Sequence, residues 1–164
     1  MSRLELHRQS FEHEKDSNQK MLAMIGSVPD ANRGDARFQQ AVTLAGHLAA
    51  CRENWLDYMH SDGLQQAAWF DKSCDLATLA PRFVALEAGW TDYLARLTED
   101  QLLSNFEFSV EGAGTYSLPT EGQIVQLFGH ASYHRGQIAL LVDQLGGETV
   151  DTDYIFWLVP ESAD

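Results

Sequence analysis

Four long segments in which apolar residues recur every three or four positions constrain the fold of this chain most. They cover approximately residues 2–25, 35–60, 75–98 and 121–145. This spacing places the apolar side chains on one face of a helix, and that face has to be buried against other helices. The pattern therefore predicts an all-α protein built as a four-helix bundle. The connection between the second and third segments is long enough to change direction, so a simple up-down order is not required.

A shorter segment between the third and fourth helices has the period of a strand. Apolar residues alternate with polar ones on both sides of a glycine-containing turn at 111–114, namely Phe106, Phe108, Val110, Tyr116 and Leu118. This alternation predicts a small β-hairpin just before the last long helix. Thr120 and Gln123 then have the spacing of a capping box at the start of that helix. The apolar tail at 153–157 is expected to pack back onto the bundle.

The composition is typical of a globular protein and excludes some partners. The chain has 164 residues, which we interpret as one domain over 1–164, and 45% of them are hydrophobic. Asp and Glu number 24 against 11 Lys and Arg, giving a formal charge of −13. Such a charge repels phosphate backbones and anionic lipid, so we expect neither a nucleic-acid nor a membrane partner. No secretory leader or membrane-spanning run is evident, which predicts a cytoplasmic protein.

Two histidines four residues apart, His130 and His134, are the strongest indication of chemistry. On a helix, residues i and i+4 share one face. His134 is also in phase with Ala131 and Ile138 on the apolar face, and His47 is in phase with the apolar face of the second helix. Burying three imidazoles without partners is costly, and a divalent metal ion would accept a lone pair from each. The pattern favours a three-histidine metal site, while core histidines satisfied by hydrogen bonds remain the alternative.

Other metal sites fit the sequence less well. Ala131, Ser132 and Tyr133 separate the two histidines, so the glutamate base of a His-Glu-x-x-His protease is missing. A di-iron bundle needs paired Glu-x-x-His motifs, and these are not found. A third alternative is a structural metal site with four protein ligands, in which Cys51, one turn after His47, is the additional ligand. No general base is evident, although Asn18 or Tyr133 could orient a ligand.

Three further histidines are scattered along the chain. His7 and His13 lie on the first predicted helix and could face inward, whereas His60 stands at a helix end, where we expect it to be solvated.

The chain resembles the DinB-like (DNA-damage-inducible) family of metal-binding bundles. The residues that carry the resemblance are Asn18 before Met21-Leu22, Gly46-His47 with Trp55, His130, His134-Arg135-Gly136-Gln137 and Thr152-Asp153-Tyr154. The resemblance implies a four-helix bundle, a nickel or zinc ion held by His47, His130 and His134, and a homodimer. Relatives with known activity use the metal to activate low-molecular-weight thiols, in transferases and an isomerase.

Two hypotheses of function follow. The first is a divalent-metal-dependent enzyme, either a hydrolase or a low-molecular-weight thiol transferase, that acts on a small molecule such as a thiol. Its metal would activate the nucleophile. The second is a non-catalytic stress-response protein that binds a metal or a small ligand at the same three histidines.

Overall fold

A computed structural model of the chain describes residues 1–60, 67–110 and 112–159. Its elements, in chain order, are α1 (Arg3–Gly26), a 3-10 turn (Asp30–Asn32), α2 (Ala36–Met59), α3 (Leu76–Arg96), α4 (Glu99–Leu102), β1 (Asn105–Val110), β2 (Gly114–Pro119), α5 (Thr120–Gln144) and α6 (Tyr154–Leu158). The predicted all-α bundle with a hairpin before its last long helix is confirmed. The short helices α4 and α6 are additions that the periodicity did not predict.

The four long helices do not pack in the order of the chain. α2 makes its most extensive contacts with α5 and α3, and α1 makes its own with α3 and α5. The consecutive helices α1 and α2 therefore lie diagonally across the bundle. This arrangement confirms that the bundle lacks a simple up-down order, and it makes α2 and α5 direct neighbours.

Side-chain caps define the starts of three of the long helices. The Ser2 hydroxyl accepts a hydrogen bond from the Glu5 backbone amide at 3.1 Å, and the Glu5 carboxylate accepts one from the Ser2 amide, which completes a capping box. Asp35 and Asp75 cap α2 and α3 through their carboxylates. Each cap satisfies amides that have no partner within the helix.

The capping box predicted for the fourth long helix is wrong. Pro119 is the N-cap of α5 and provides no side-chain hydrogen bond, while Thr120 is already helical. The Thr120 amide donates to the Ser104 carbonyl at 3.0 Å, and the Gln123 side chain donates to Gln126. The first amide of α5 thus donates to a backbone carbonyl that precedes the hairpin, and the hydroxyl of Thr120 does not act as a cap.

The hairpin is antiparallel and packs one face against α2. Phe108 lies opposite Tyr116 in the register. Gly112 in the connection and Gly114 at the start of β2 both adopt positive φ. The Phe108 ring lies 5.3 Å from the ring of Trp55 on α2. The aromatic side chains of the predicted strand therefore cover one end of the bundle.

The C-terminal tail packs on α1, as expected. His13 donates from Nε2 to the Thr152 carbonyl at 2.8 Å. The rings of Tyr154 and Trp157 meet the His13 ring edge-on, at 5.1 and 5.7 Å between centroids. His13 therefore anchors the tail, which is a structural role.

A buried ion pair joins all four long helices. Arg52 of α2 donates from Nε to Glu14 Oε1 of α1 at 2.7 Å and from Nη2 to the other carboxylate oxygen. The guanidinium lies over the rings of Trp90 on α3 and Phe128 on α5, at 4.9 and 5.1 Å. Trp90 also donates its indole N–H to the Arg52 carbonyl at 2.9 Å. Removing one partner would leave a charge buried without its counter-ion.

We expect Glu14→Gln to lower the free energy of unfolding by about 3 kcal/mol, because Arg52 would keep its charge in a buried position without a carboxylate. Urea denaturation followed by circular dichroism measures the change. The matched control is Asp92→Asn, which breaks the exposed pair with Arg96 and should cost less than about 1 kcal/mol. Equal losses in the two variants would contradict the structural role assigned to the buried pair.

Candidate metal centre

The packing of α2 against α5 brings the three predicted histidines together. His47 lies in the middle of α2, and His130 and His134 lie one turn apart in the middle of α5. The Nε2 atom of His130 is 3.2 Å from Nε2 of His47 and 3.1 Å from Nε2 of His134. One nitrogen from each ring lies within 4.8 Å of the others, so together they form a group that could hold a metal ion.

Hydrogen bonds on the far side of two rings direct their lone pairs into this group. His47 Nδ1 lies 2.6 Å from the Trp69 carbonyl, and His134 Nδ1 lies 2.7 Å from Gln137 Oε1. Both oxygens are acceptors, so in each ring Nδ1 carries the hydrogen and Nε2 keeps its lone pair. This is the arrangement in which outer hydrogen bonds orient histidine ligands around a metal ion.

The donor set fits a divalent cation. With hydrogens on Nδ1 of His47 and His134, the single Nε2–H that a neutral His130 could offer would reach only one of its two neighbours. The Nε2 lone pair of the other neighbour would then face a nitrogen at close range with no hydrogen between them. Tetrahedral zinc–nitrogen bonds of about 2.0–2.1 Å place two ligand nitrogens about 3.3 Å apart. The separations of 3.1 and 3.2 Å are close to that value.

Burial keeps two of the rings neutral. Desolvation lowers the pKa of His47, and it lowers the pKa of His130 to about 4, with additional repulsion from His134, His47 and Arg52. A neutral imidazole is the form that binds a metal ion. These two rings can therefore act as ligands at neutral pH.

Cys51 stands beside the group without joining it. Its sulfur lies 3.6 Å from Nε2 of His47. However, within 1–60, 67–110 and 112–159, the donor atoms that lie within 4.8 Å of one another come from the three histidines alone. Burial also raises the pKa of the Cys51 thiol to about 12, which disfavours the thiolate that metal binding requires. The geometry favours three protein ligands and an open position over a closed site.

Two exposed aromatic rings flank the histidines. Phe70, which is 58% exposed, stacks in parallel on His47 at 3.9 Å between centroids. Tyr133, which is 64% exposed, meets the His134 ring edge-on at 5.1 Å. His130 and His134 are themselves only half-buried. The group is thus near the surface, between apolar ring faces that an organic molecule could contact.

The structure brings together the three histidines that the sequence selected, and it adds the hydrogen bonds that orient them, which sequence reasoning did not predict. Gln137 belongs to the run His134-Arg135-Gly136-Gln137, but the sequence assigned it no role. The contact of Trp69 with His47 uses a backbone carbonyl, which side-chain patterns do not reveal. Asn18, suggested as a ligand-orienting residue, is buried and donates to Glu87 at 3.1 Å. Tyr133 does lie beside the site. The exposed position expected for His60 is confirmed.

Comparison with known proteins agrees with the geometry. The DinB family model matches residues 1–162. The chain belongs to the DinB family. Metal binding is a general property of this family, and the three-histidine group provides suitable donors for it. Searches of curated proteins and of solved structures found no match. Within the described ranges, no helix has the length and apolar character needed to cross a membrane.

We expect the affinity for zinc or nickel to fall in a graded way across a series of variants. His134→Ala should lose stoichiometric metal because a ligand nitrogen is removed. Gln137→Leu should weaken binding about 10–100-fold, because the His134 ring loses the hydrogen bond that orients it. Competition with a chromophoric chelator measures these affinities.

The control for this series is His60→Ala, which removes an exposed histidine that is not part of the group. It should bind metal as the unmodified protein does. If His47→Ala and His134→Ala both kept full metal content, the ligand assignment would be wrong.

Proposed function

We propose that this DinB-family protein is a divalent-metal-dependent enzyme, acting as a hydrolase or as a low-molecular-weight thiol transferase. His47, His130 and His134 would hold the metal, with nickel or zinc as the ion. The observation that carries the proposal is the convergence of three Nε2 atoms, two of them with lone pairs directed inward by hydrogen bonds at Nδ1. Three ligands would leave a coordination position for water or substrate.

A divalent ion bound there would lower the pKa of a coordinated water toward about 7 and would favour the thiolate of a coordinated thiol. The protein would supply orientation. The Trp69 carbonyl and the Gln137 amide hold two rings in one tautomer and one direction. Phe70 and Tyr133 offer exposed ring faces to the organic part of a substrate. Both reaction classes use this same activation of a nucleophile.

The identity of the metal is a separate part of the proposal. An all-nitrogen ligand set suits zinc, nickel, copper and iron. Resemblance to metal-dependent thiol enzymes of the family favours nickel or zinc.

A non-catalytic stress-response protein that binds a metal or a small ligand is the second candidate. It is favoured by the composition of the group, whose donors are three histidines with no carboxylate among the residues described. A carboxylate there could have served as general base. Binding without turnover requires only the metal and the flanking rings.

Turnover assays on the metal-loaded protein should separate the two candidates. We expect conjugation of a low-molecular-weight thiol, such as glutathione, to 1-chloro-2,4-dinitrobenzene, or hydrolysis of p-nitrophenyl acetate. Because activation of the nucleophile depends on the metal, His134→Ala and the chelated protein should fall to the background rate, and His60→Ala should keep full activity. Both products are measured by absorbance.

Stoichiometric metal with no turnover across a panel of thiols and esters would favour the binding protein. Turnover that survives both chelation and His134→Ala would contradict the metal-dependent mechanism.

We further propose that the protein forms a homodimer, as resemblance to the family implies. Phe70 is a suitable contact because it is largely exposed, whereas Trp69 is half-buried and packs near Trp55. Light scattering should give twice the chain mass of 18.4 kDa, because burying such apolar surface stabilises a dimer. A mass equal to that of one chain would reject the dimer.

A further inference from the structure

A cavity lies well away from the histidines. Its volume is about 440 Å³, and it is lined by the C-terminal ends of α2 and α3, by α4 and β1, and by the first residue of α5. Met59 at its edge is about 18 Å along the axis of α2 from His47, and Thr120 is about 15 Å along α5 from His130. The cavity is therefore separate from the candidate metal centre, and its size is typical of small-molecule sites.

One part of the cavity is apolar. The side chains of Met59, Leu97 and Phe106 line it together with the ring of Tyr93. Phe106 and Tyr93 offer aromatic surface, against which a flat apolar molecule can pack. The phenol of Tyr93 is also a hydrogen-bond donor. Burial raises its pKa to about 12, which keeps it protonated.

Among the described residues that line the cavity, the charged side chain is a cation, although the protein is strongly acidic. The chain carries 24 acidic residues and a net charge of −13. Yet among the described residues that line this cavity there is no carboxylate, while Arg96 is a cation. A site of this composition in so acidic a chain favours an anionic ligand.

Arg96 has capacity to bind such a ligand. Its Nη2 atom contacts Asp92 in a pair whose side chains are 62% and 61% exposed. An exposed pair of this kind contributes little to stability, and a guanidinium has five N–H donors. A ligand carboxylate could therefore bind Arg96 without breaking a strong interaction.

The start of α5 forms the other side of the cavity. Thr120 is only 3% exposed and lines the cavity from the first turn of this 25-residue helix. The N-cap, Pro119, provides no side-chain acceptor to the turn. The positive dipole end of α5 and the negative dipole ends of α2 and α3 oppose one another at this cavity, so the preference for an anion rests on Arg96.

We propose that this cavity is a binding site for a small organic anion, with a flat apolar body packed on Phe106 and Tyr93 and a carboxylate bound by Arg96. The inference does not depend on the metal centre.

Isothermal titration calorimetry with two matched probes tests the site on the metal-loaded chain of 164 residues. The probes are 1-naphthoate and the neutral, similarly shaped 1-naphthamide. We expect saturable binding of naphthoate that is at least about tenfold tighter than that of the amide, since a hydrogen bond between two charged groups is stronger than one to a neutral amide. Arg96→Gln should remove this preference, and Arg96→Lys should keep part of it.

The matched control is Arg37→Gln, because Arg37 is also an exposed arginine that pairs with a nearby aspartate, namely Asp35, the N-cap of its helix. It should bind both probes as the unmodified protein does. Equal affinity for the two probes, no saturable binding of naphthoate, or an unchanged preference in Arg96→Gln would each overturn the site. Metal content, measured on the same samples, tests the three histidines separately. A negative result at one site therefore does not change the conclusion about the other.

Discussion

The buried pair of Arg52 and Glu14 is the interaction on which the arrangement of the bundle depends. α1 and α2 are consecutive in the chain but diagonal in the bundle, so neither the short connection nor extensive packing holds them in register. The ion pair crosses that diagonal, and the Arg52 guanidinium also contacts Trp90 of α3 and Phe128 of α5. A charge in this position is tolerated only while its partner is in place. It therefore selects one packing of the four helices.

That packing matters for chemistry because Arg52 is five residues from His47 on α2, and Phe128 is two residues from His130 on α5. Contact between Arg52 and Phe128 places the two histidine-bearing segments opposite each other. Desolvation is the largest cause of the lowered pKa of His130, followed by repulsion from His134 and His47, and the same guanidinium adds to it. The residue that holds the helices in register thus also favours the neutral imidazole on which metal binding depends.

Much of the fold and the site could be predicted from local patterns. Period-3.6 spacing located the four long helices, and period-2 alternation located the hairpin, because both reflect which face of an element is buried. His47, His130 and His134 could be selected because they shared the phase of buried residues. The start of α5 could not be predicted correctly. Thr120 and Gln123 match a capping box, but the Thr120 amide pairs with Ser104 across the hairpin connection.

The order of residues along the chain determined the helices, the hairpin and the three imidazoles on inward faces, because these follow from neighbours within a few positions. Tertiary structure alone decided that α2 lies beside α5, that the Trp69 carbonyl orients His47, and that Cys51 stays outside the histidine group. It also decided that a cavity forms whose described lining residues include no carboxylate, in a strongly acidic chain. Each of these depends on distances between residues far apart in the chain, and such distances are set only when the helices pack.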